Sequence, residues 1–517
     1  MKIPVIKLGD IPPDHVATDS LKGIPRQQTK PSRWNGKDWD KFSKAVSGHG
    51  ISIKENQAVC SLYSSDSGGM AYGMPHGVIV ARSTEHVAVI MKEAQKYNIP
   101  VTVRGGSLTT EGETVPFGGL QLDMTGMSDV LAVDHENMTV RTQAGIYWHS
   151  LAEVLRRDGY DYLSAPLNMT SSVGGTLSVG GIDINSPRLG CSADQALALK
   201  VVTPKGDIVE CSETLNTELF NRNLLGYGQF GIITEATLKI RKFTPITMHY
   251  FYYSSLSSAI NDMMLLAEHD ASDYIGILTI MDKAVNLLVA FDSAEREQTF
   301  FSKWRGRIKG YGELGYGIKM ATYYALRPWR FKEVLYLLDR KRSLMPEFNP
   351  SHHMSGESIL DRTVVFSKAV WKFWGNRQMV IPDLATNKEK FIEAVERGNA
   401  VCKKYFKHYT LYCVGIKLLG NKERYEMSCI PSDAQGIAYG CEFEPMLGDR
   451  YYSHDYLQSF KNEIYDIGVD MQTSYYRFGG MKKGYIRRVF GDEVVEKHLA
   501  LKKEVDPGMI LNSDVIF

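Results

Sequence analysis

A chain of 517 residues is longer than one compact core usually organises, so two or three structural units are expected. Hydrophobic residues make up 44%, charged residues 23%, and the formal net charge is +1, which describes an ordinary globular protein and gives no reason to expect a nucleic-acid partner. Seven cysteines, odd in number and without a C-x-x-C pair, exclude a disulfide framework and a zinc cluster; no metal is expected, and a reducing compartment fits best. The first twenty residues lack a signal-peptide core and no stretch approaches the ~20 apolar residues of a spanning helix, so the expected location is the cytoplasm, away from membranes.

Residues 1–45 are polar, rich in Pro, Lys and Asp, and without period, which reads as an arm. From Pro75 the pattern sharpens. Residues 77–81 read as a buried strand, 84–98 as an amphipathic helix with Val87, Ile90, Met91 and Ala94 on one face, and 99–103 as a second strand. A loop of Gly, Ser and Thr follows over 105–116, then an alternating strand at 120–124 and a hairpin with its tip at 134–137. Residues 147–158 have helical period, 170–190 form a second Gly/Ser-rich loop, 196–211 a hairpin turned at 204–207, and 232–240 a strand. Beyond Pro245 come strand 247–253, helix 256–268 and strands 274–281 and 285–291. A comparable order returns as strand 378–381, helix 388–405 and strands near 408–418 and 436–444, which suggests two α+β half-units sharing one sheet. Residues 487–517 read as a helix and a tail.

Two segments match G-x-G-x-x-G: Gly226-Tyr-Gly228-Gln-Phe-Gly231 and Gly310-Tyr-Gly312-Glu-Leu-Gly315. A nicotinamide-dinucleotide site needs a strand before this motif and a helix after it. The first match follows a helical pattern and leads into Ile232-Ile-Thr-Glu-Ala-Thr-Leu, and the second follows Trp304-Arg-Gly-Arg-Ile-Lys, so neither has the context. The loop Arg104-Gly-Gly-Ser-Leu-Thr-Thr-Glu-Gly112 is different. Its small residues either let several backbone N–H groups converge on a pyrophosphate or simply make a tight turn. The second loop, Ser171-Ser-Val-Gly-Gly-Thr-Leu-Ser-Val-Gly-Gly181, favours the former, since two such loops can grip the ends of one extended dinucleotide.

The ordered series Pro75-His-Gly-Val-Ile-Val-Ala-Arg-Ser-Thr-Glu-His86, Ile99-Pro-Val-Thr-Val-Arg-Gly-Gly106, Val173-Gly-Gly-Thr-Leu-Ser178 and Gly228-Gln-Phe-Gly-Ile-Ile-Thr234 resembles the FAD domain of the vanillyl-alcohol oxidase (p-cresol methylhydroxylase-type) superfamily, closest in look to cytokinin dehydrogenases. Leu499-Ala-Leu-Lys-Lys-Glu-Val-Asp-Pro507 and Ile510-Leu-Asn512 match the family's closing helix and tail. The resemblance implies an α+β fold: a two-part FAD-binding domain over 46–243 and 487–517, and a substrate cap on an antiparallel sheet over 244–486. It also implies FAD contacts from Arg104, Gly105, Gly106, Ser107, Leu108 and Thr109, from Ser171, Ser172, Gly174, Gly175, Thr176 and Ser178, and from Ile233 and Asn512.

The chain departs from that family where chemistry is concerned. Leu108 stands where many members carry the His that tethers FAD, and Asn168, Met169 and Thr170 stand where others carry a tethering Cys, so FAD is expected to be non-covalent. Leu167 replaces the Asp that serves cytokinin dehydrogenases as a base. Candidate catalytic groups must then come from the cap. In Ser474-Tyr-Tyr-Arg477, a strand would set Tyr475 and Arg477 on one face and Tyr476 on the other, either at the flavin or in the cap core and at the surface. His352, paired with His353 in a Ser/Pro/Gly-containing loop, is either a base or inert. Asp383 either faces the pocket or caps the next helix, a role for which Asn387 competes. The resulting expectation is an oxidase or dehydrogenase that removes two electrons, as a hydride to flavin N5, from a small alcohol, amine or hydroxy acid, in a monomer or homodimer. The alternative is a flavin-fold protein that uses its pocket for non-redox cyclisation or for binding.

Overall fold

The computed structural model describes residues 29, 32, 34–280, 284–312, 378–420, 425–428, 430, 431, 433–445, 452–476 and 483–513. His352 and Arg477 lie outside these, as does the end of the second glycine-spaced match.

Strands β1 (Gly77–Val80), β2 (Val101–Arg104) and β3 (Leu120–Asp123) form a parallel sheet in the order β1-β3-β2. The helix Thr84–Tyr97 connects the first two. Ser83 starts it by accepting from the His86 N–H, Asn98 ends it in a left-handed conformation, and Val87, Ile90, Met91 and Ala94 are fully buried on its inner face. The alternation read over 120–124 does not appear as one wet face, since all four residues of β3 are buried. As the central strand of a parallel sheet it has no solvent side. Gln121 adapts by donating to the Thr102 carbonyl at 2.8 Å. The helix Trp39–Gly48 begins inside the stretch read as an arm and sets Phe42 and Val46 into the same core as Ile90 and Leu122.

The second sheet comprises β4 (Val130–Asp134), β5 (Thr139–Gln143), β6 (Tyr160–Tyr162), β7 (Ala196–Val202), β8 (Ile208–Ser212) and β9 (Ile232–Lys242), in the order β4-β5-β9-β7-β8 with β6 against β9. Both predicted hairpins are here. The helix Trp148–Arg157 lies at the predicted place. The segment 170–190 is a correction, because it is not all loop: it contains the helices Val173–Val179 and Ser186–Leu189. Burial of Val173 and Leu177 in the core of this sheet overrides the poor helix propensity of two adjacent glycines. Leu225, next to the first glycine-spaced match, joins that core too. That match is preceded by the helix Thr217–Asn223 and followed by β9, the reverse of a nicotinamide-dinucleotide site.

The third sheet is antiparallel and six-stranded: β10 (Thr247–Tyr253), β11 (Tyr274–Ile280), β12 (Ala284–Phe291), β13 (Asp383–Thr386), β14 (Tyr409–Lys417) and β15 (Ile437–Pro445), in the order β10-β12-β11-β14-β15-β13. The β11–β14 pairing fuses the two half-units, as the repeated element order implied. One face buries Ile277, Leu287, Leu411, Cys441 and Phe443 with apolar residues of the helices Leu256–Glu268, Lys388–Tyr405 and His454–Met471. Two readings need correction. The strand placed at 378–381 lies at Asp383–Thr386 instead, beyond Pro382, which has no N–H to give a ladder. The helix His454–Met471 was not read at all, although Leu457, Phe460, Ile464, Ile467 and Met471 repeat at helical spacing and are buried.

The chain end returns to the first sheet. After the helices Lys483–Phe490 and Asp492–Val505, the Val101 N–H donates to the Ile510 carbonyl at 2.8 Å, and the Asn512 N–H donates to the Val101 carbonyl at 2.9 Å. The fully buried Lys502 ammonium ties this tail down by donating to the Gln229 and Leu511 carbonyls and pairing with Asp506. Among the described residues no helix is long and apolar enough to cross a membrane.

Candidate functional site: a seam between two glycine loops

The loop after β2 is held from below by an otherwise unremarked segment. Arg104 lies over the Tyr63 ring, 5.1 Å from its centroid, and donates to the Ser65 carbonyl at 3.0 Å. Ser107 adopts a left-handed backbone, φ 54°, and its carbonyl accepts from both the N–H and the hydroxyl of Ser67. Asp66 accepts from the Thr109 hydroxyl at 2.9 Å and the Gly112 N–H at 2.8 Å. Burial, then the nearby Glu113 carboxylate, pushes Asp66 up to about 6, against which these donors pull. Leu108 is half-buried and brings no nucleophilic atom.

The second loop approaches so closely that the first must be glycine. A Cβ at Gly105 would lie 2.0 Å from the Ser172 hydroxyl oxygen, and one at Gly106 would lie 2.6 Å from the Thr170 carbonyl oxygen. On the far side, Asn168 spends its side-chain oxygen on the Thr170 N–H and hydroxyl, and Ser172 caps the helix Val173–Val179 by accepting from the Gly175 N–H. Ser171 and Thr176 bond each other, and Trp148 donates to Thr176 at 2.9 Å. Ser178 donates back to the Gly174 carbonyl at 2.8 Å, and Gly174 abuts Ala144. Gly175 alone in this helix is exposed, facing open space apart from Ser172.

Asn512 is a clamp: its side chain accepts from the Val103 N–H at 2.9 Å and donates to the Gly228 carbonyl at 2.8 Å, stapling the tail to the first loop's strand. Ile233 is buried in β9 and pairs with Val201.

The cap candidates separate. Tyr475 is fully buried in the helix-covered core and donates to the Tyr465 carbonyl, so that hydroxyl is structural and its assignment as catalytic is corrected. Tyr476 points the other way, as the alternation implied. Its hydroxyl accepts from the Gly181 N–H at 3.1 Å, at the end of the second glycine loop. Within 474–476 only Ser474 pairs, in an isolated bridge to Ala385, rather than a strand. Asp383 opens β13, is buried, and accepts from the Tyr476 N–H; Asn387 caps the helix Lys388–Tyr405, so the capping role read for Asp383 is corrected.

Several residues that the fold brings to the seam carry no local signal in the chain. Tyr63 donates to Asp123 at 2.8 Å beside Arg104, and the Tyr147 ring packs on Gly106. His149 stacks on Tyr147, and its backbone N–H donates to the Met169 carbonyl at 2.9 Å. Their neighbours in sequence carry no motif; only the closure of β2 against the second loop gathers them. Two buried polar atoms here have no protein partner, the Thr110 hydroxyl on one loop and His149 Nδ1 beside the other. With Gly175 exposed, these atoms leave unmet polar capacity beside the place where the two loops meet.

Interlocked glycine loops on a mixed α/β base, under an antiparallel sheet, define a nucleotide-cofactor-binding protein. Residues 75–212, which contain both loops, match the FAD binding domain family. The chain is 33% identical to a D-lactate dehydrogenase of Anaerostipes hadrus over 172 residues, 32% of this chain and 36% of that protein. It is 28% identical to cytokinin dehydrogenase 2 of Arabidopsis thaliana over 323 residues, 61% of this chain and 63% of that protein. A solved alkyldihydroxyacetonephosphate synthase shares the fold with a TM-score of 0.65 at 14% identity, over 95% of this chain and 87% of that one. The chain thus spans between about a third and two thirds of these curated relatives. Residues 75–212 thus carry the match to an FAD binding domain, the rest of the chain shares the fold of that solved synthase, and the cofactor is FAD.

Proposed function

We propose that this protein is an FAD-dependent oxidoreductase that oxidises a small organic molecule, an alcohol, amine or hydroxy acid. In this reading 46–243 with 487–517 hold the cofactor, 244–486 cover it, and FAD supplies the two-electron acceptor. The observation that carries it is the seam itself: Gly105 and Gly106 admit Ser172 and Thr170, and the two loops they join both lie within the FAD-matching segment. The chain's own residues then do three things. Backbone N–H groups of 105–109 bind the charged part of the cofactor, while those of Ser171 and of 173–176 already donate within and beside the second loop. Asn512 and Lys502 tie the tail to β2, which leads into the first loop, and to Gly228 and Gln229. The sheet β10–β15 shields the reacting end from water.

FAD binds without a covalent tether, because Leu108 offers no nucleophile and Asn168 is occupied in organising its own loop. Known relatives carry names pointing to D-lactate, glycolate and cytokinin, which frame the substrates to try. The test is anaerobic mixing of the purified FAD-loaded protein with alcohols, amines and hydroxy acids while the flavin absorbance is followed. Bleaching by one of them is the expected result. A compound turned over with the flavin never reduced overturns the reading.

A further inference from the structure

The first glycine loop is joined to the unit of 244–486 by an ion pair closed off from water. Lys461, on the helix His454–Met471, pairs with Glu111 near the end of the loop, 350 positions away, and the two side chains are 1% and 0% exposed. A buried pair of this kind seldom adds net stability, because taking both charges out of water costs about as much as their attraction returns. What it supplies is a single permitted arrangement, since either charge left alone is heavily penalised.

The Glu111 carboxylate cannot shift without the loop. The Glu111 N–H donates to Glu113 Oε2 at 3.2 Å, and the next N–H along, that of Gly112, donates to Asp66 Oδ2 at 2.8 Å. The same Asp66 oxygen accepts from the Thr109 hydroxyl at 2.9 Å, so the pull of Lys461 reaches the middle of the loop through three short links. A second tie runs beside the first. The Gly68 N–H donates to the Thr109 carbonyl at 3.2 Å, and the Gly68 carbonyl accepts from the Met379 N–H at 2.9 Å. Gly68 is pressed so close that a Cβ there would lie 2.2 Å from the Thr110 carbonyl oxygen. Met70, two residues on, is buried in the same core as Leu384, Phe391 and Ile464. Two elements of 244–486 therefore hold the loop on the same side, one by charge and one by backbone.

We propose that Lys461 is a positioning residue for FAD: through Glu111 it fixes where the N–H groups of 105–109 point, so that the cofactor leaves only when the helix His454–Met471 lets go of the loop. Lys461 acts through Glu111 and has no need to touch FAD. The pair thereby does for a non-covalent cofactor part of what a tether would do, by slowing its escape. Linkage makes the coupling reciprocal, so a loop ordered by FAD also steadies the helix. The inference rests on the reading that the first loop holds the charged part of FAD.

The experiment dilutes the FAD-loaded full chain and follows FAD release by the rise in flavin fluorescence, with Tm measured alongside. Lys461→Met should release FAD at least about tenfold faster than the parent. The control is Leu287→Ala, a cavity made in the same apolar core on β12, which lowers Tm without touching the pair. It should release FAD at close to the parent's rate. The double variant Lys461→Met with Glu111→Leu keeps the site filled and removes both charges, so its Tm should return near the parent's while FAD release stays about tenfold faster. Hydrogen exchange on the unmodified chain supplies a test that needs no variant to fold: removing FAD should raise amide exchange in 454–471 together with 105–112. A double variant that releases FAD at the parent's rate overturns the inference, as does a Lys461→Met protein no faster than Leu287→Ala. Exchange that rises in the loop alone overturns it too. A parent that binds FAD while 105–112 exchanges equally with and without it counts against the loop reading itself, and the inference falls with that reading.

Discussion

Replacing Gly105 by Ala probes the seam at its tightest point. The new methyl would sit 2.0 Å from the Ser172 hydroxyl and 2.9 Å from its Cβ, so Ser172 must turn away or the loops must part. Turning away breaks the cap on the helix Val173–Val179, about 1 kcal/mol, and forcing a methyl into a filled gap adds about 1–3 kcal/mol. The combined loss of roughly 2–4 kcal/mol is divided between fold stability and cofactor affinity. If the loops part to take all of it, FAD binding weakens roughly 30-fold to 1000-fold. Urea unfolding of the apoprotein and FAD titration by flavin fluorescence measure the two shares separately. Adding Ser172→Ala removes the closest atom, so the double variant should lose less than the sum of the two single variants. A Gly105→Ala protein with the parent's unfolding midpoint and FAD affinity would refute the interlocked-loop account.

Acid or heat precipitation followed by filtration should release all the FAD into the filtrate, because neither Leu108 nor Asn168 forms a covalent bond; yellow colour staying with the pellet contradicts this. Lys461→Met strands the buried Glu111 carboxylate, with which Lys461 pairs between the helix His454–Met471 and the first glycine loop. The expected cost is about 3–5 kcal/mol in denaturant unfolding, largely recovered by adding Glu111→Leu. Asp66, raised from 3.8 to about 6, holds its proton in the folded chain where the unfolded chain has already lost it. Its stabilising contribution is therefore complete at low pH and is lost as pH rises through about 6. Tm measured from pH 5 to 7.5 should fall less steeply in Asp66→Asn, and identical slopes would remove Asp66 as the cause.

Much of the site was legible because local chemistry dictated it. Two runs of small residues, at 105–109 and 171–178, announce backbone brought close to something, and the amphipathic period of 84–97 fixes which face supports the first of them. The match at 226–231 was rightly set aside, since what flanks it, a helix before and a strand after, is itself readable from period. The failures have equally local causes. Tyr475 and Tyr476 alternate correctly, but nothing in the sequence says which side meets the helix-covered core, and the structure gives that side to Tyr475. Asp383 next to Pro382 looks like the start of a cap, yet β13 begins there and Asn387 takes the cap four residues on.

Period and glycine spacing by themselves determined most of the elements, their order and the two runs of small residues where backbone comes close, because each follows from contacts within a few residues; FAD and the class of fold came from the resemblance of those runs to a known family. Only the tertiary structure decided why Gly105 must be glycine, that half-buried Asp66 supports the first loop, and that Glu111 within that loop is buried against Lys461. Those facts depend on residues tens to hundreds of positions apart. Distance along the chain carries no record of which surfaces close on each other, and so the two loops could be read in advance while their interlocking could not.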